Sequence, residues 1–527
     1  MHLRTPRSAT RTRLLRSRVL VLSTVLLGVA GFAPATASAY AGQAAAPSAP
    51  NRTAAAPATS GNLLVDPGGE SAAICSPNGL DGMTVPGWTI TRGEPNVVCY
   101  GAAGGYPTAS TPGSPTRGKG FFAGGATGDS ALSQDVDVSS AASEIDAGSV
   151  GYNLSGWLGG YASQNDRVAL SGTFLDSSGN ALGSTTLGPV TNTDRGNSTE
   201  FLQKTGTGTL PVGTRSIKVA LAFTWSAGST TDGYADDLSL TLSAAVPTPA
   251  LTAPPSSVPG YDHVFVVYME NENYENIIGN TAQAPYINSL ASANSVLSQS
   301  YATTHPSDPN YVALAAGGLY GLTDNSITTT TIDAPHLGTS VEAAGKTWKA
   351  YVQNMPSNCY PQDSGNYSPD DTPFYYFKDM KTDNAYCQAH SQPQTSMVDD
   401  LKSADTTPNF VWFAADGCND MEGCGITAGD NYLKETLPTI FNSPAWTQQR
   451  SLLIVTWDEG ATKAYGPGYP NRVPTILVGS QNSVKTGYQS SQRTDQYGLL
   501  RTVDNALGLA PLTNNDRYAA TVNDTWQ

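Results

Sequence analysis

Positive charge is scarce in this chain: 28 Lys and Arg stand against 43 Asp and Glu in 527 residues, and only 13% of residues are charged. Six of those basic residues, Arg4, Arg7, Arg11, Arg13, Arg16 and Arg18, precede an almost wholly apolar run at 19–33 and the small triplet Ala37-Ser38-Ala39. Basic start, apolar core and small-residue end predict a secretory signal peptide over residues 1–39. Its removal leaves 22 basic against 43 acidic residues, a formal charge of −21. Phosphate backbones and anionic membranes are gripped by clustered Lys and Arg, so nucleic-acid and anionic-membrane partners are disfavoured. Long apolar runs are also lacking, since nothing after residue 33 approaches the ~20 residues of a membrane helix. The expected product is soluble, secreted and extracellular.

Cysteine is limited to Cys75, Cys99, Cys359, Cys387, Cys418 and Cys424, an even number in three sequence-local pairs. With an export signal this reads as disulfides rather than metal or redox chemistry. The shortest pairings are 75–99, 359–387 and 418–424, although spacing does not fix connectivity.

Large apolar residues are almost absent from 40–60 (YAGQAAAPSAPNRTAAAPATS), which predicts a disordered leader. Residues 244–259 (AAVPTPALTAPPSSVP) carry five prolines and read as an extended linker. These segments delimit one module at 61–243 and another at 260–527.

The first module reads as all-β. Ile217, Val219, Leu221, Phe223 and Trp225 alternate with smaller or polar residues, as do Val168, Leu170 and Phe174, and Leu238, Leu240 and Leu242. Period two marks strands with one buried face, and clusters such as DSSGN at 176–180 supply the turns. The expected architecture is a β-sandwich. The text NLLVDPGGE at 62–70, PGW at 86–88, GKGFFAGG at 118–125, SQDVDVS at 133–139 and DGYADDLSL at 232–240 resembles the galactose-binding-like jelly rolls of secreted bacterial enzymes. The resemblance implies a structural calcium near the first and last strands, with Glu70, Asp236 and Asp237 as ligands. It also implies a carbohydrate or cell-surface glycan partner, for which Trp88, Trp157 and Tyr161 are the stacking candidates and ordinary core packing is the alternative.

The second module alternates strand and helix patterns. HVFVVYMEN (263–271), NFVWFAAD (409–416), SLLIVTWDE (451–459) and VPTILVG (473–479) are short apolar runs typical of strands buried on both faces. Helix-length segments lie at 284–300 and 339–353. A mostly parallel α/β sheet follows. Ligands of such sheets bind beyond the carboxyl ends of the strands, where Glu270-Asn271 and Asp458-Glu459 fall. Oxygen ligands at two strand ends suit Mg, Mn or Ca. Between them, THPSDPN at 304–310 is a proline-marked turn that opens a helix, and Ser307 is placed either to meet a phosphoryl group or simply to cap the helix.

VVYMENENYENIIGN, APYINSLA, THPSDPNYVALAAGG, VEAAGKTWKAYVQNMP and VTWDEG occur in the order seen in the bacterial phosphoesterase family of acid phosphatases and phospholipase C enzymes, within the alkaline phosphatase superfamily. The second module resembles that family over essentially 260–510. The resemblance implies an alkaline phosphatase-like fold and a metal-dependent phosphomonoesterase. Ser307 is its nucleophile, Glu270, Asn271, Asp458 and Glu459 are its metal ligands, and His305, Asn310 and Asn325 belong to its phosphate pocket.

Relatives carry histidines in KHNPF, DMHD and NHVPT segments where this chain has DDTPF at 370–374, DMEG at 420–423 and NRVPT at 471–475. Asp371, Glu422 and Arg472 thus occupy the three histidine positions, while Asp420 is retained. Arg472 has the planar fork to clamp phosphate, and His305 the ring to protonate a leaving group. The expectation is a secreted, metal-dependent phosphoric ester hydrolase. The alternatives are a phospholipase C-type phosphodiesterase and a glycan-binding protein with a degraded esterase domain.

Overall fold

The computed structural model describes residues 59–461 and 471–527, apart from 73, 74, 77, 78, 80, 81, 83 and 127. The expected export segment and residues 40–58 of the expected leader lie outside them. Pro57–Gln527 form one compact unit.

Residues 89–242 build two five-stranded antiparallel sheets. In one, Ser216–Thr224 lies between Ser130–Asp137 and Arg167–Leu175; in the other, Gly233–Leu242 lies between Gly120–Ala123 and Gly151–Gly160. The alternation seen in sequence becomes burial: Ile217, Val219, Leu221 and Phe223 point inward with Val168, Leu170, Leu238 and Leu240, giving the two sheets one shared core. Cys75–Cys99 ties the loop before the second sheet to its edge strand.

Residues 245–260 contain no helix or strand, yet they are held down. Arg501 donates to the Pro254 carbonyl, Asn523 donates to the Pro255 carbonyl at 3.1 Å, and Ser257 bonds Asn523 in turn.

Beyond them an eight-stranded sheet runs in the order Ser391–Pro393, Trp348–Val352, Phe410–Ala414, His263–Met269, Ser451–Trp457, Thr475–Gly479, Ser295–Leu297, Tyr488–Ser490. It is mostly parallel, with Thr475–Gly479 antiparallel to both neighbours. The three central strands are buried along their whole length, with an apolar layer on each face of the sheet. Such continuous apolar runs need cover on both faces.

Two expected helices are shorter than their sequence spans. Residues 284–300 give a helix only over Pro285–Ala293, then the strands Ser295–Leu297 and Ser300–Tyr301. Residues 339–353 give the end of helix Leu337–Ala343 and then strand Trp348–Val352. Gly345, at φ +71°, stops the second helix, and the aromatic and β-branched WKAYV that follows fits a pleated, buried surface better.

The remaining cysteines close the two other short pairings, Cys359–Cys387 and Cys418–Cys424. No helix among the described residues is long and apolar enough to cross a membrane.

Candidate active site

Strands His263–Met269 and Ser451–Trp457 pair in parallel with Met269 opposite Trp457. The residues that follow them therefore emerge side by side at the carboxyl end of the sheet. Asp458 N–H donates to the Met269 carbonyl at 3.0 Å, and Asn271 N–H donates to Asp458 Oδ1 at 2.7 Å. Asn271 adopts φ +54°, a left-handed conformation that asparagine tolerates better than most residues. Its side-chain amide donates to Glu270 Oε2 at 2.8 Å.

The third component is the turn that opens helix Ser307–Ala316. Asn310, buried in that helix, spends its whole amide on the turn. Its oxygen accepts from Thr303 N and Thr304 N, each at 2.9 Å, and its nitrogen donates to the Thr304 and Pro306 carbonyls at 3.0 and 3.1 Å. The turn thus fixed presents Ser307, at the first helical position, to the strand ends. Ser307 Oγ lies 3.3 Å from Glu270 Oε2 and 3.4 Å from Glu459 Oε1. The other Glu459 oxygen meets His305 Nδ1, and Tyr311 OH donates to Glu270 Oε1. His305, Glu459, Ser307, Glu270 and Tyr311 form one hydrogen-bonded chain.

Its electrostatics are those of crowded acids. Asp458 and Glu459 are both 0% exposed. Burial, and next the neighbouring Asp458, push Glu270 well above the usual carboxylate range. Burial, and next Glu459, push Asp458 up. Asp458 Oδ2 is sealed and has no hydrogen-bond partner among the described residues. A buried, unpartnered carboxylate oxygen beside other carboxylates is costly unless a cation or a proton compensates it. Glu270, Asn271 and Asp458 offer only hard oxygen donors, a set that fits a cation such as Mg, Mn or Ca. Among the described residues no group of three or more Asp, Glu, His or Cys side chains is arranged to hold a metal ion; Glu270 and Glu459 instead flank the Ser307 hydroxyl.

The other residues singled out in sequence fall farther around the pocket or away from it. Asn325, exposed, accepts from Asp308 N–H at 3.1 Å and so braces the helix start. Arg472 is engaged elsewhere: its guanidinium pairs with Glu275, donates to the Ser298 carbonyl at 3.2 Å and stacks 4.5 Å over the Tyr274 ring. Asp371 is buried in the turn Pro369–Asp371 and accepts from Ser368 N–H. Glu422 is exposed, whereas Asp420 beside it is buried, and desolvation raises its carboxyl to about 7. The Asp420 carbonyl accepts from Glu270 N–H at 2.9 Å, which joins the Cys418–Cys424 loop to the site.

In the sandwich, Glu70 accepts from Lys119 and Gly120 N–H groups, and Asp237 accepts from Ser114 and Thr116. Asp236 is buried, takes a hydrogen bond from Tyr100 OH at 2.6 Å, and is raised to about 7, chiefly by desolvation. Trp88 sits in the sandwich core against Phe122, while Trp157 and Tyr161 are only partly buried, beside a second aromatic cluster.

Sequence reasoning missed Tyr311 and Asn471. Tyr311 lies one helical turn beyond Ser307, a spacing that places the two on one face. Asn471, which accepts from Gly460 N–H and donates to the Thr304 carbonyl, each at 2.8 Å, opens the NRVPT segment, where sequence reasoning singles out only Arg472.

A serine hydroxyl held among buried carboxylates at the carboxyl ends of a parallel sheet defines a hydrolytic α/β protein. The sequence pattern of the Phosphoesterase family matches residues 280–510, and this chain belongs to that family. It is 33% identical over 287 residues to a phosphatidylinositol-3-phosphatase of Mycobacterium tuberculosis, covering 54% of this chain and 88% of that protein. It is 27% identical over 235 residues to a phosphate-repressible acid phosphatase of Penicillium chrysogenum, covering 43% of this chain and 54% of that one. A solved structure from Vibrio parahaemolyticus, of a protein in the alkaline phosphatase superfamily, aligns with TM-score 0.36 and 11% identity, covering 51% of this chain and 75% of the other. The chain is a hydrolase acting on phosphoric esters.

Proposed function

We propose that the protein is a secreted, metal-dependent phosphomonoesterase of the acid phosphatase kind, with Ser307 as nucleophile and an alkaline phosphatase-like α/β half. The observation that carries this reading is the placement of Ser307 Oγ at 3.3 and 3.4 Å from two buried carboxylates. Ser307 Oγ attacks phosphorus in line and gives its proton to Glu459. The bond from phosphorus to the leaving oxygen breaks, and His305, oriented by Glu459, protonates that oxygen. Water then hydrolyses the phosphoserine and frees the hydroxyl. A divalent cation held by Glu270, Asn271 and Asp458 would neutralise acid and phosphoryl charge alike, the main electrostatic demand of phosphoryl transfer.

The names of the relatives support monoesters, lipid headgroup phosphates included, over diesters. The basic–apolar–small order of residues 1–39 and three disulfides support export. We read the N-terminal sandwich as a galactose-binding-like jelly roll with calcium at Glu70, Asp236 and Asp237, and with Trp157 and Tyr161 facing a glycan. Turnover of p-nitrophenyl phosphate against its bis-ester tests the central reading. Ser307→Ala should lower monoester turnover by at least about 10⁴-fold; activity within tenfold of wild type would remove Ser307 as nucleophile.

A further inference from the structure

Two buried amides, Gln496 and Asn471, tie the turn that carries His305 and Ser307 to the strand end that carries Asp458 and Glu459. Gln496 opens helix Gln496–Leu507. The short strand before that helix, Thr494–Asp495, pairs in parallel with Ser300–Tyr301, with Tyr301 opposite Asp495. The start of the helix therefore lies beside the residues that lead into the turn. From there Gln496 Oε1 accepts from Thr303 Oγ1 at 2.5 Å, and Gln496 Nε2 donates to the Asp458 carbonyl at 3.0 Å. Asn471 repeats the pattern farther along both segments: its amide nitrogen donates to the Thr304 carbonyl and its amide oxygen accepts from Gly460 N–H, each at 2.8 Å.

These two rungs bracket one residue. The first ends on the carbonyl of Asp458 and the second on the N–H of Gly460, so the backbone of Glu459 is held on both sides. Opposite it, Thr303 and Thr304 are held just before His305 and Ser307. Across the gap between these segments, Glu459 Oε1 lies 3.4 Å from Ser307 Oγ, and the other Glu459 oxygen meets His305 Nδ1. Proton transfer needs heavy atoms within about 2.6–3.2 Å, so the Ser307–Glu459 contact has no slack to lose if the turn slips against the strand end. The first rung also demands an amide. It accepts from a hydroxyl at one end and donates to a carbonyl at the other, which an ionised carboxylate or an apolar side chain cannot do together.

We propose that Gln496 is a positioning residue for phosphoester hydrolysis: through Thr303 and the Asp458 carbonyl it holds the Ser307 turn in register with Glu459, with Asn471 as the second rung. The inference rests on the reading of Ser307 as nucleophile and Glu459 as the acceptor of its proton. Displacements of about 1 Å in such alignments cost up to about 100-fold in rate.

The test uses the full purified chain with p-nitrophenyl phosphate and saturating Mg, with kcat taken per folded molecule so that a loss of stability alone does not register. Gln496→Met, which keeps the length and removes both bonds, should lower kcat about tenfold with KM within about twofold, the signature of lost alignment rather than lost binding. Thr303→Val cuts the same rung at its other end and should lose a similar factor, whereas Thr303→Ser, which keeps the hydroxyl, should recover most of it. Because both changes break one rung, the double variant Gln496→Met, Thr303→Val should stay within about twofold of Gln496→Met alone rather than reach the product of the two losses, about 100-fold. Wild-type kcat in Gln496→Met or in Thr303→Val, Thr303→Ser as slow as Thr303→Val, or a double variant at the product overturns the proposal. Should Gln496→Met not fold, the two Thr303 variants decide by the same criteria. Ser307→Ala in the same assay separates the two ideas. If it turns over substrate normally, the nucleophile reading has failed and this inference falls with it; if it is inactive while Gln496→Met is normal, the inference alone has failed.

Discussion

The backbone N–H of Asn271 donates to Asp458 Oδ1 at 2.7 Å, so two neighbouring strand ends are tied by one of their own acids. That bond satisfies one oxygen of Asp458, while Oδ2 is sealed and without a hydrogen-bond partner among the described residues. A buried carboxylate oxygen left without a partner calls for a cation or a proton.

Chelation with EDTA should abolish p-nitrophenyl phosphate hydrolysis, and Mg, Mn or Ca should restore it. Asp458→Asn should weaken the activating affinity for the ion by about 100-fold or more, since even residues outside the ligand shell contribute about 10–100-fold. Calorimetric titration of the ion into purified protein reads the same change without turnover. Unaltered affinity would take Asp458 out of the ligand set.

Asn310→Ala should destabilise the α/β half. The side chain satisfies Thr303 and Thr304 N–H groups in a buried turn, and leaving buried donors unpaired costs about 1–3 kcal/mol each. Urea unfolding should show a loss of roughly 2–6 kcal/mol on that basis. A loss below about 1 kcal/mol would mean that the turn stands without its staple.

Asp308 gives a pH dependence with a definite sign. Desolvation raises its carboxyl to about 8, against the lowering effect of its hydrogen bond from Tyr376. Its unfolded value is about 3.9, so the folded state holds the proton more tightly. The contribution is fully present below the unfolded value and is lost as pH rises through about 8. Wild type should therefore lose stability relative to Asp308→Asn between about pH 4 and pH 8, by an amount on the order of a few kcal/mol. Urea midpoints of both proteins at pH 4.5, 6 and 8 check this; a constant difference would show that Asp308 does not titrate in this range.

Much of the molecule is legible in one dimension because its signals are local. Alternation in 215–225 and 167–175 becomes two buried strand faces, since side-chain direction follows from backbone pleat alone. Apolar runs that end in Glu270-Asn271 and Asp458-Glu459 point to the strand ends because a parallel sheet brings such ends together. Ser307 is visible as the first residue after a proline turn. The spans 284–300 and 339–353 mislead because Ala, Ser and Leu read as helix, whereas burial at sheet positions decides for strand at 295–297 and 348–352. Arg472 is misleading in another way: an arginine at an expected histidine position says nothing about which acid will hold it, and Glu275 does.

By itself the sequence determined the acidic balance, the cysteine pairs within reach of each other, the two kinds of secondary structure and the acids that end the central strands. Each of these depends on residue type and short spacing. The tertiary structure alone decided that Tyr311 closes the Glu270 end of the hydrogen-bonded chain and that Asn471 ties the segment after Asp458–Glu459 to the turn before Ser307. Such contacts join residues far apart in the chain, where a hydrogen bond leaves no periodicity and one amide looks like any other until the fold brings them together.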